Sequence, residues 1–421
     1  MTMAINFKDK QIIRDRAKEQ LDLAISPINI DRIELWKKHN AMKSDIPVIH
    51  LELGTFMQEV IPPLLKCESP EGKEIEASLL RNYLNMKLFD DDMVVPDFYK
   101  LHWDSYFNLF GHTITSTHAQ SSDGSTLGHA FNHVISDLEA DWDKLGITTY
   151  GVNAQNTLDK KSLFEDLFGD ILPIKMTGNC IYAVPTQEIV HRMSMEHMFY
   201  AMYDYPGLFT KMMDRISDDY LEYFNFLSAN GYLLPTTGFE GLGQGSLCFT
   251  DELPSSAADA PDGILHTTDV WGFLDSQETV GISPGMFKEL IFPCYERIAN
   301  AYGLLSYGCC EPVDPIWDSI CKLKNLRKVS ISPWCNEEYM AEKLANSRII
   351  YHRKPSPNFL GVGKTLDEEA FRAHITKTLV TARGCKLEIT QRDVYTINKD
   401  VQKARRYVQI IRECIEEYWK G

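Results

Sequence analysis

The stretch Leu304-Leu305-Ser306-Tyr307-Gly308-Cys309-Cys310-Glu311-Pro312 decides the fold: a short apolar run ending in a glycine turn that carries two thiols and a carboxylate. Bounded by Gly303 and Gly308, the run 304–307 reads as a buried strand, and a helix is expected from about Pro315. The same unit recurs on both sides. Before it, a strand near Leu265 to Leu274 leads to Ser283-Pro284, an N-cap with proline at the first helical position. Met286, Phe287, Leu290, Ile291, Cys294 and Ile298 form the stripe of that helix, and Gly303 ends it.

After it, Arg327 to Ile331 reads as a strand, Ser332-Pro333-Trp334-Cys335 as its loop, and Asn336 as the cap of a helix carrying Met340 and Leu344. Arg348 to Tyr351 is the next strand, with Thr365-x-x-Glu368 expected as a capping box. Lys386 to Thr390 is the last strand, followed by a helix from about Asn398 to Trp419. Strands that alternate with helices pair in parallel through right-handed crossovers. Further strands near Pro47 to Leu53, Ile181 to Pro185 and Gly231 to Thr236 favour a (βα)8 TIM barrel over an open doubly wound sheet. The predicted organisation is an N-terminal helical extension over 1–45 and a barrel catalytic domain over 46–421.

With 421 residues, 44% of them apolar, the chain can bury a large core. A formal charge of −16 spread along the sequence argues against a nucleic-acid partner. No run is long and apolar enough for a membrane span, and the first ten residues lack the apolar stretch of a secretory signal, so a cytoplasmic location is expected. The ten cysteines lack the spacing of a disulfide framework, and most are expected to be buried apolar thiols.

In either α/β architecture, reactive groups collect at the C-terminal ends of the strands. Those segments hold Asp275, Gln277 and Glu278; Cys309, Cys310 and Glu311; Trp334 and Cys335; Lys354; and Asp393, with Cys385 at the start of the last strand. Sulfur and carboxylate groups from neighbouring strand ends are the components of a zinc site with an open position. Alternatively, Cys309 and Cys310 are an incidental buried pair, and Cys385 a packed thiol. Glu278 and Glu311 are the candidate proton-handling carboxylates. Trp271, Gln277, Trp334, Lys354 and Asp393 are candidates for contacting substrate.

Other signals are weaker. His112, His118, His129 and His133 cluster, and His129-x-x-x-His133 fits a helix face, but no His-Glu-x-x-His pattern accompanies them. Asp90-Asp91-Asp92 reads as a solvated turn. Gly241-Leu242-Gly243-Gln244-Gly245 lacks the Lys-Ser/Thr of a phosphate loop.

Together, Ser283-Pro284-x-Met286-Phe287, the Tyr307 to Pro312 string, Asn325-Leu326-Arg327 through Ser332-Pro333-Trp334, and Arg383-Gly384-Cys385 resemble the uroporphyrinogen decarboxylase-like superfamily. The resemblance is to its corrinoid-linked methyltransferase branch. It extends over roughly Arg32 to Tyr418, including Asp91 to Pro96 and Trp271 to Glu278. It implies a (βα)8 barrel, often dimeric, and a methyltransferase moving a methyl group between a small substrate and a corrinoid (cobalamin). Because the chain has no Asp-x-His-x-x-Gly corrinoid-binding sequence, the corrinoid is expected on a partner protein. The resemblance also implies zinc held by Cys309 (or Cys310) and Cys385. The histidine of that ligand set falls on Tyr307, which leaves Glu278, Glu311, His266 or the second cysteine as a third ligand, or no metal. A cofactor-free decarboxylase or lyase is the alternative; the family's Arg-Gln-Ala-Gly-Arg type signature for substrate carboxylates is absent here.

Overall fold

The computed structural model describes residues 5–120 and 126–419. Its centre is a seven-stranded sheet, parallel throughout. Its strands are β1 (Val48–Leu51), β2 (Ile181–Ala183), β3 (Trp271–Leu274), β4 (Leu304–Tyr307), β5 (Leu326–Ile331), β6 (Ile350–Arg353) and β7 (Lys386–Gln391). The order is β1-β7-β6-β5-β4-β3-β2, so the first strand lies beside the last. This is the strand order of a barrel, with β1 and β2 as its two edges. The α/β expectation therefore holds as a parallel sheet. The strand expected near Gly231 to Thr236 is absent among the described residues, and the hydrogen-bonded closure it would contribute to is not made.

Each strand alternates between two buried faces. Val329 and Ile331, Tyr351 and Arg353, and Leu387 and Ile389 belong to the outer set, packed under helices that include α4 (Glu337–Leu344), α5 (Glu368–Thr381) and α6 (Val401–Tyr418). From β5 round to β1 the inner set is polar, with Lys328, Ser330, His352, Glu388, Thr390 and His50, while on β3 it is apolar, with Trp271 and Phe273. Burial of so many polar groups requires partners. Lys328 Nζ donates to Glu388 Oε2 at 2.7 Å and to Ser246 Oγ at 2.6 Å, and His352 Nε2 lies 2.8 Å from Thr390 Oγ1.

Ser246 belongs to the glycine-rich segment, which runs inside the curved sheet. Gly243 and Gly245 have φ of +84° and +79°, and a Cβ there would stand 2.8 Å from the Phe273 ring and 2.6 Å from Thr390 Cγ2. Only glycine meets both demands, the left-handed backbone and the close approach. These glycines serve packing inside the sheet.

The N-terminal helices are α1 (Phe7–Ala24), capped by Asn6, and α2 (Pro27–Asn40), capped by Ser26. Helix α2 covers the end of the sheet at which its strands begin: the Asn40 amide donates to the carbonyls of Leu247 and Phe249, Arg327 donates to Asn40 O, and His39 Nε2 lies 3.3 Å from Glu388 Oε2. The long connection from β1 to β2 carries three small two-stranded sheets and is followed, beyond β2, by α3 (Pro206–Ala229), which takes up Phe107 in a stack on Tyr220 at 4.7 Å.

Several local expectations shift. The α5 helix is capped by Asp367, whose side chain accepts from Ala370 N, instead of by Thr365. Residues Thr126–Phe131 pair as a strand with Ser116–Gln120, so His129 and His133 do not share a helix face; the side chain of His129 and the tip of that loop, 121–125, lie outside the described residues. Asp91 and Asp92 are buried, not solvated: they accept from the backbone of Leu51 and Ile49, and Arg412 pairs with Asp92. No helix among the described residues is long and apolar enough to cross a membrane.

Candidate active site

The segments after β3, β4, β6 and β7 meet around Cys309. Gly308, at φ +95°, turns the chain so that Cys309 and Cys310 follow β4 directly. Glu311 then accepts from two backbone N–H groups, Ser276 at 3.1 Å and Cys309 at 2.8 Å. Both of its oxygens are committed to holding the β3 and β4 loops together, which makes it a positioning residue. Tyr307 faces the outer core, with its hydroxyl 2.6 Å from Ser276 Oγ.

Below the thiols, buried Lys354 donates to Ser330 Oγ at 2.7 Å, Gln244 Oε1 at 3.0 Å and Cys309 O at 3.2 Å. Its three protons thus meet three uncharged oxygens, and no carboxylate among the described residues forms an ion pair with it. Burial pushes the ammonium down from its ordinary value, and the charge of Cys309 is the first influence that opposes this. Arg392 donates to Glu52 at 2.8 Å and also to Gln244 Oε1.

The sulfurs of Cys309 and Cys310 are 3.5 Å apart, and Cys310 Sγ donates to Asp393 Oδ2 at 3.1 Å. The hydrogen bond from Cys310 lowers the Cys309 thiol below its ordinary value; burial opposes this and the Lys354 charge assists. Cys310 moves the opposite way, raised by the same bond and by burial. Of the two, Cys309 is therefore the more readily ionised thiol and Cys310 the one that keeps its proton. Nearby, burial and then the charges of Glu311 and Cys309 raise Asp275 well above the carboxylate range. Burial also raises Glu278, which accepts from Thr186 Oγ1 at 2.8 Å. A thiolate beside a neutral carboxylic acid is a nucleophile beside a proton donor.

Of the residues expected at the site, Cys309, Cys310, Glu311, Lys354 and Asp393 come together, with Glu278 next to them behind Thr186. Four do not join them. Trp271 begins β3 at the opposite end of the sheet, where its indole donates to Cys248 O. Gln277 is exposed, and Trp334 is 75% exposed on the rim. Cys385 precedes β7, whereas Asp393 follows it; at about 3.3 Å per residue the six-residue strand puts the two at opposite ends, roughly 17–20 Å apart. The Cys385 sulfur donates to Ala341 O at 3.5 Å and lines a 360 Å³ cavity at the far end of the sheet.

The ligand set implied for zinc is therefore not assembled. Glu278 is held by Thr186, His266 is exposed and pairs with Asp262 at 2.8 Å, and among the described residues no three His, Cys, Asp or Glu side chains are grouped to hold a metal ion. The residues as placed do not fit zinc. Sequence reasoning gave no role to Asp275, Ser330, Arg392 or Gln244. Ser330 and Lys328 left a trace, as polar residues alternating with Val329 and Ile331 in an otherwise apolar strand. Gln244 left none.

No family model matches this chain, and no curated protein does. Among solved structures it is similar to a methyltransferase from Methanosarcina mazei, at 11% identity and a TM-score of 0.48, over 92% of this chain and 99% of that one. It is also similar to a B12-independent methionine synthase from Shewanella sp. W3-18-1 in complex with selenomethionine, at 11% identity and a TM-score of 0.28, over 88% of this chain and 96% of that one.

Proposed function

We propose that this chain is a methyltransferase acting between a small substrate and a corrinoid carried by a partner protein. The observation that carries the reading is the Cys309 thiol, 3.5 Å from the Cys310 sulfur, on a loop whose carbonyl is held by Lys354 Nζ at 3.2 Å, with its ionisation eased and that of nearby Asp275 opposed. Cys309 attacks the methyl carbon, a carbon–sulfur bond forms, and the bond from that carbon to the leaving atom breaks. The leaving oxygen or sulfur keeps the electron pair and takes a proton from Asp275; in the second half-reaction the acceptor attacks the methyl carbon, the carbon–sulfur bond breaks and Cys309 recovers the electron pair. Lys354 offsets the charge that Cys309 carries when ionised, the Cys310 proton is shared between Cys309 and Asp393, and Glu311 fixes the two loops. The corrinoid, when its carrier is docked, supplies the methyl-accepting or methyl-donating cobalt.

The test is consumption of methylcobalamin by the purified chain with a panel of thiols and methyl ethers, with and without candidate corrinoid proteins. Turnover that Cys309→Ser abolishes is expected, together with a methyl adduct on Cys309 by mass spectrometry. Absence of any methyl exchange across the panel overturns the reading. The decarboxylase alternative has one observation in its favour, a half-buried arginine at the mouth. Arg392 is already engaged by Glu52 and Gln244, however, and carbon dioxide release from carboxylate substrates would be its signature.

A further inference from the structure

The adjacent thiols have a second chemistry open to them. Their sulfurs are 3.5 Å apart, so a shift of about 1.5 Å would bring them to disulfide length. Both side chains are partly exposed, unlike the buried Cys180, Cys248, Cys294, Cys335, Cys385 and Cys414. Backbone geometry sets the character of the product. Neighbouring Cα atoms are about 3.8 Å apart, closer than in ordinary disulfides, so a bond between adjacent cysteines is easily reduced again.

We propose that Cys309 and Cys310 form a reversible oxidative modification site, closed by peroxide into a disulfide and reopened by a dithiol. Cys309 sulfur attacks hydrogen peroxide, the O–O bond breaks, and a sulfenic acid and water result. Cys310 sulfur then attacks the sulfenic sulfur; the S–S bond forms, the S–O bond breaks, and a second water leaves with the Cys310 proton. Two electrons pass from the sulfur pair to one peroxide. Oxidation removes the anion that faces Lys354 and the hydrogen bond to Asp393, so the site loses its nucleophile in one step. The consequence for turnover rests on the methyl-transfer reading; the modification does not.

The competing thiol is Cys321, the one exposed cysteine, which shares a tryptic peptide with the pair. The experiment therefore uses full-length Cys321→Ser protein, treated with hydrogen peroxide and read by intact and peptide mass. Expected is a loss of two hydrogens confined to the peptide holding Cys309 and Cys310, reversed fully by dithiothreitol. In the Cys310→Ser variant, Cys309 is expected instead to run on to sulfinic acid at least fivefold faster than in its parent. Equal rates of sulfinic acid formation in the two proteins, or failure of the parent to lose the two hydrogens, overturns the proposal. Because the readout is mass, its failure is distinct from failure of methyl transfer.

Discussion

Cys310 donates its proton to Asp393 at 3.1 Å while its sulfur stands 3.5 Å from Cys309, so one proton serves two acceptors. Asp393 itself sits at φ +58°, in the left-handed region, where the backbone after β7 aims its carboxylate at the β4 loop. The thiolate character of Cys309 thus depends on the last strand as well as on its own loop.

The first prediction follows from that bond. Its removal in Cys310→Ala takes away the largest influence that lowers Cys309, so the midpoint of iodoacetamide alkylation of Cys309 should move to higher pH. In Asp393→Asn the acceptor loses its charge, the Cys310 proton turns to Cys309, and the midpoint should move to lower pH. Alkylation rates measured against pH check both; shifts in the same direction would show that the proton is not shared.

Asp275 gives a pH dependence of opposite sign to an ordinary salt-bridged carboxylate. Its folded value lies well above the unfolded one, so between the two the folded chain binds more protons than the unfolded chain. Its contribution to stability is present at low pH and is lost as pH rises from about 4, the ordinary carboxyl range, through the folded value. Asp275→Asn, uncharged at every pH, should therefore show a flatter melting profile and match or exceed the parent in alkaline buffer. Activity should fall about a hundredfold or more, the usual cost of losing a general acid. Parallel melting profiles for the two proteins would place the Asp275 proton elsewhere.

Cys385 separates packing from ligation. Its sulfur is buried on Ala341 O, remote from Cys309, so Cys385→Ala should lose about 1 kcal/mol of stability while activity stays near that of the parent. Thermal melting with and without added zinc checks this, and no difference in zinc response between parent and variant is expected.

The order of strands and helices from Trp271 onward was legible in the sequence because each βα unit is local, with period and cap within thirty or so residues, as at Ser283 and Asn336. Gly303 was misread as the helix stop, since the helix ends at Ala299 and Gly303 is needed where the chain passes the Thr268 carbonyl. Cys385 was misplaced for a simple geometric reason. A residue before a strand and one after it lie at opposite ends, and the arginine-glycine-cysteine string carries no mark of which end matters. The expected strand over 231–236 failed because apolar content alone does not distinguish a strand from a buried connection. The insertion of Gly243, Gln244 and Gly245 into the sheet interior was invisible, since contacts to Phe273, Lys354 and Thr390 are made far along the chain. Sequence proximity has no bearing on them.

That insertion predicts a graded response to added methyl groups. Gly245→Ala should cost about 2–4 kcal/mol, combining the left-handed penalty with the clash on Thr390 and His50. Gly263 shares the positive φ, at +77°, but an added methyl there would meet nothing within 4 Å, so Gly263→Ala should cost only about 1–2 kcal/mol. Denaturant unfolding of the two variants measures the difference; equal losses would mean that the loop does not press on β7.

The last prediction concerns charge balance at Lys354. The ammonium is buried among neutral oxygens, and the first charge that answers it is the one Cys309 carries when ionised. Truncating a half-buried cysteine ordinarily costs about 1 kcal/mol. Here Cys309→Ala also strands a buried cation, a loss that reaches about 3–5 kcal/mol when one partner of a buried pair is removed. Lys354→Met alone relieves the desolvation of the ammonium but leaves the thiolate without a cation, so Cys309 should take up a proton and the variant should fold near parental stability. The double variant should then be more stable than Cys309→Ala, because neither charge remains. The coupling from this cycle should exceed about 1.5 kcal/mol at neutral pH, beyond what contact between uncharged side chains would give. It should shrink as pH falls and Cys309 becomes protonated in the parent, since the thiol then no longer answers the ammonium. A coupling near zero at every pH would mean that Lys354 and Cys309 do not share charge, and the thiolate in the proposed transfer would lose its support.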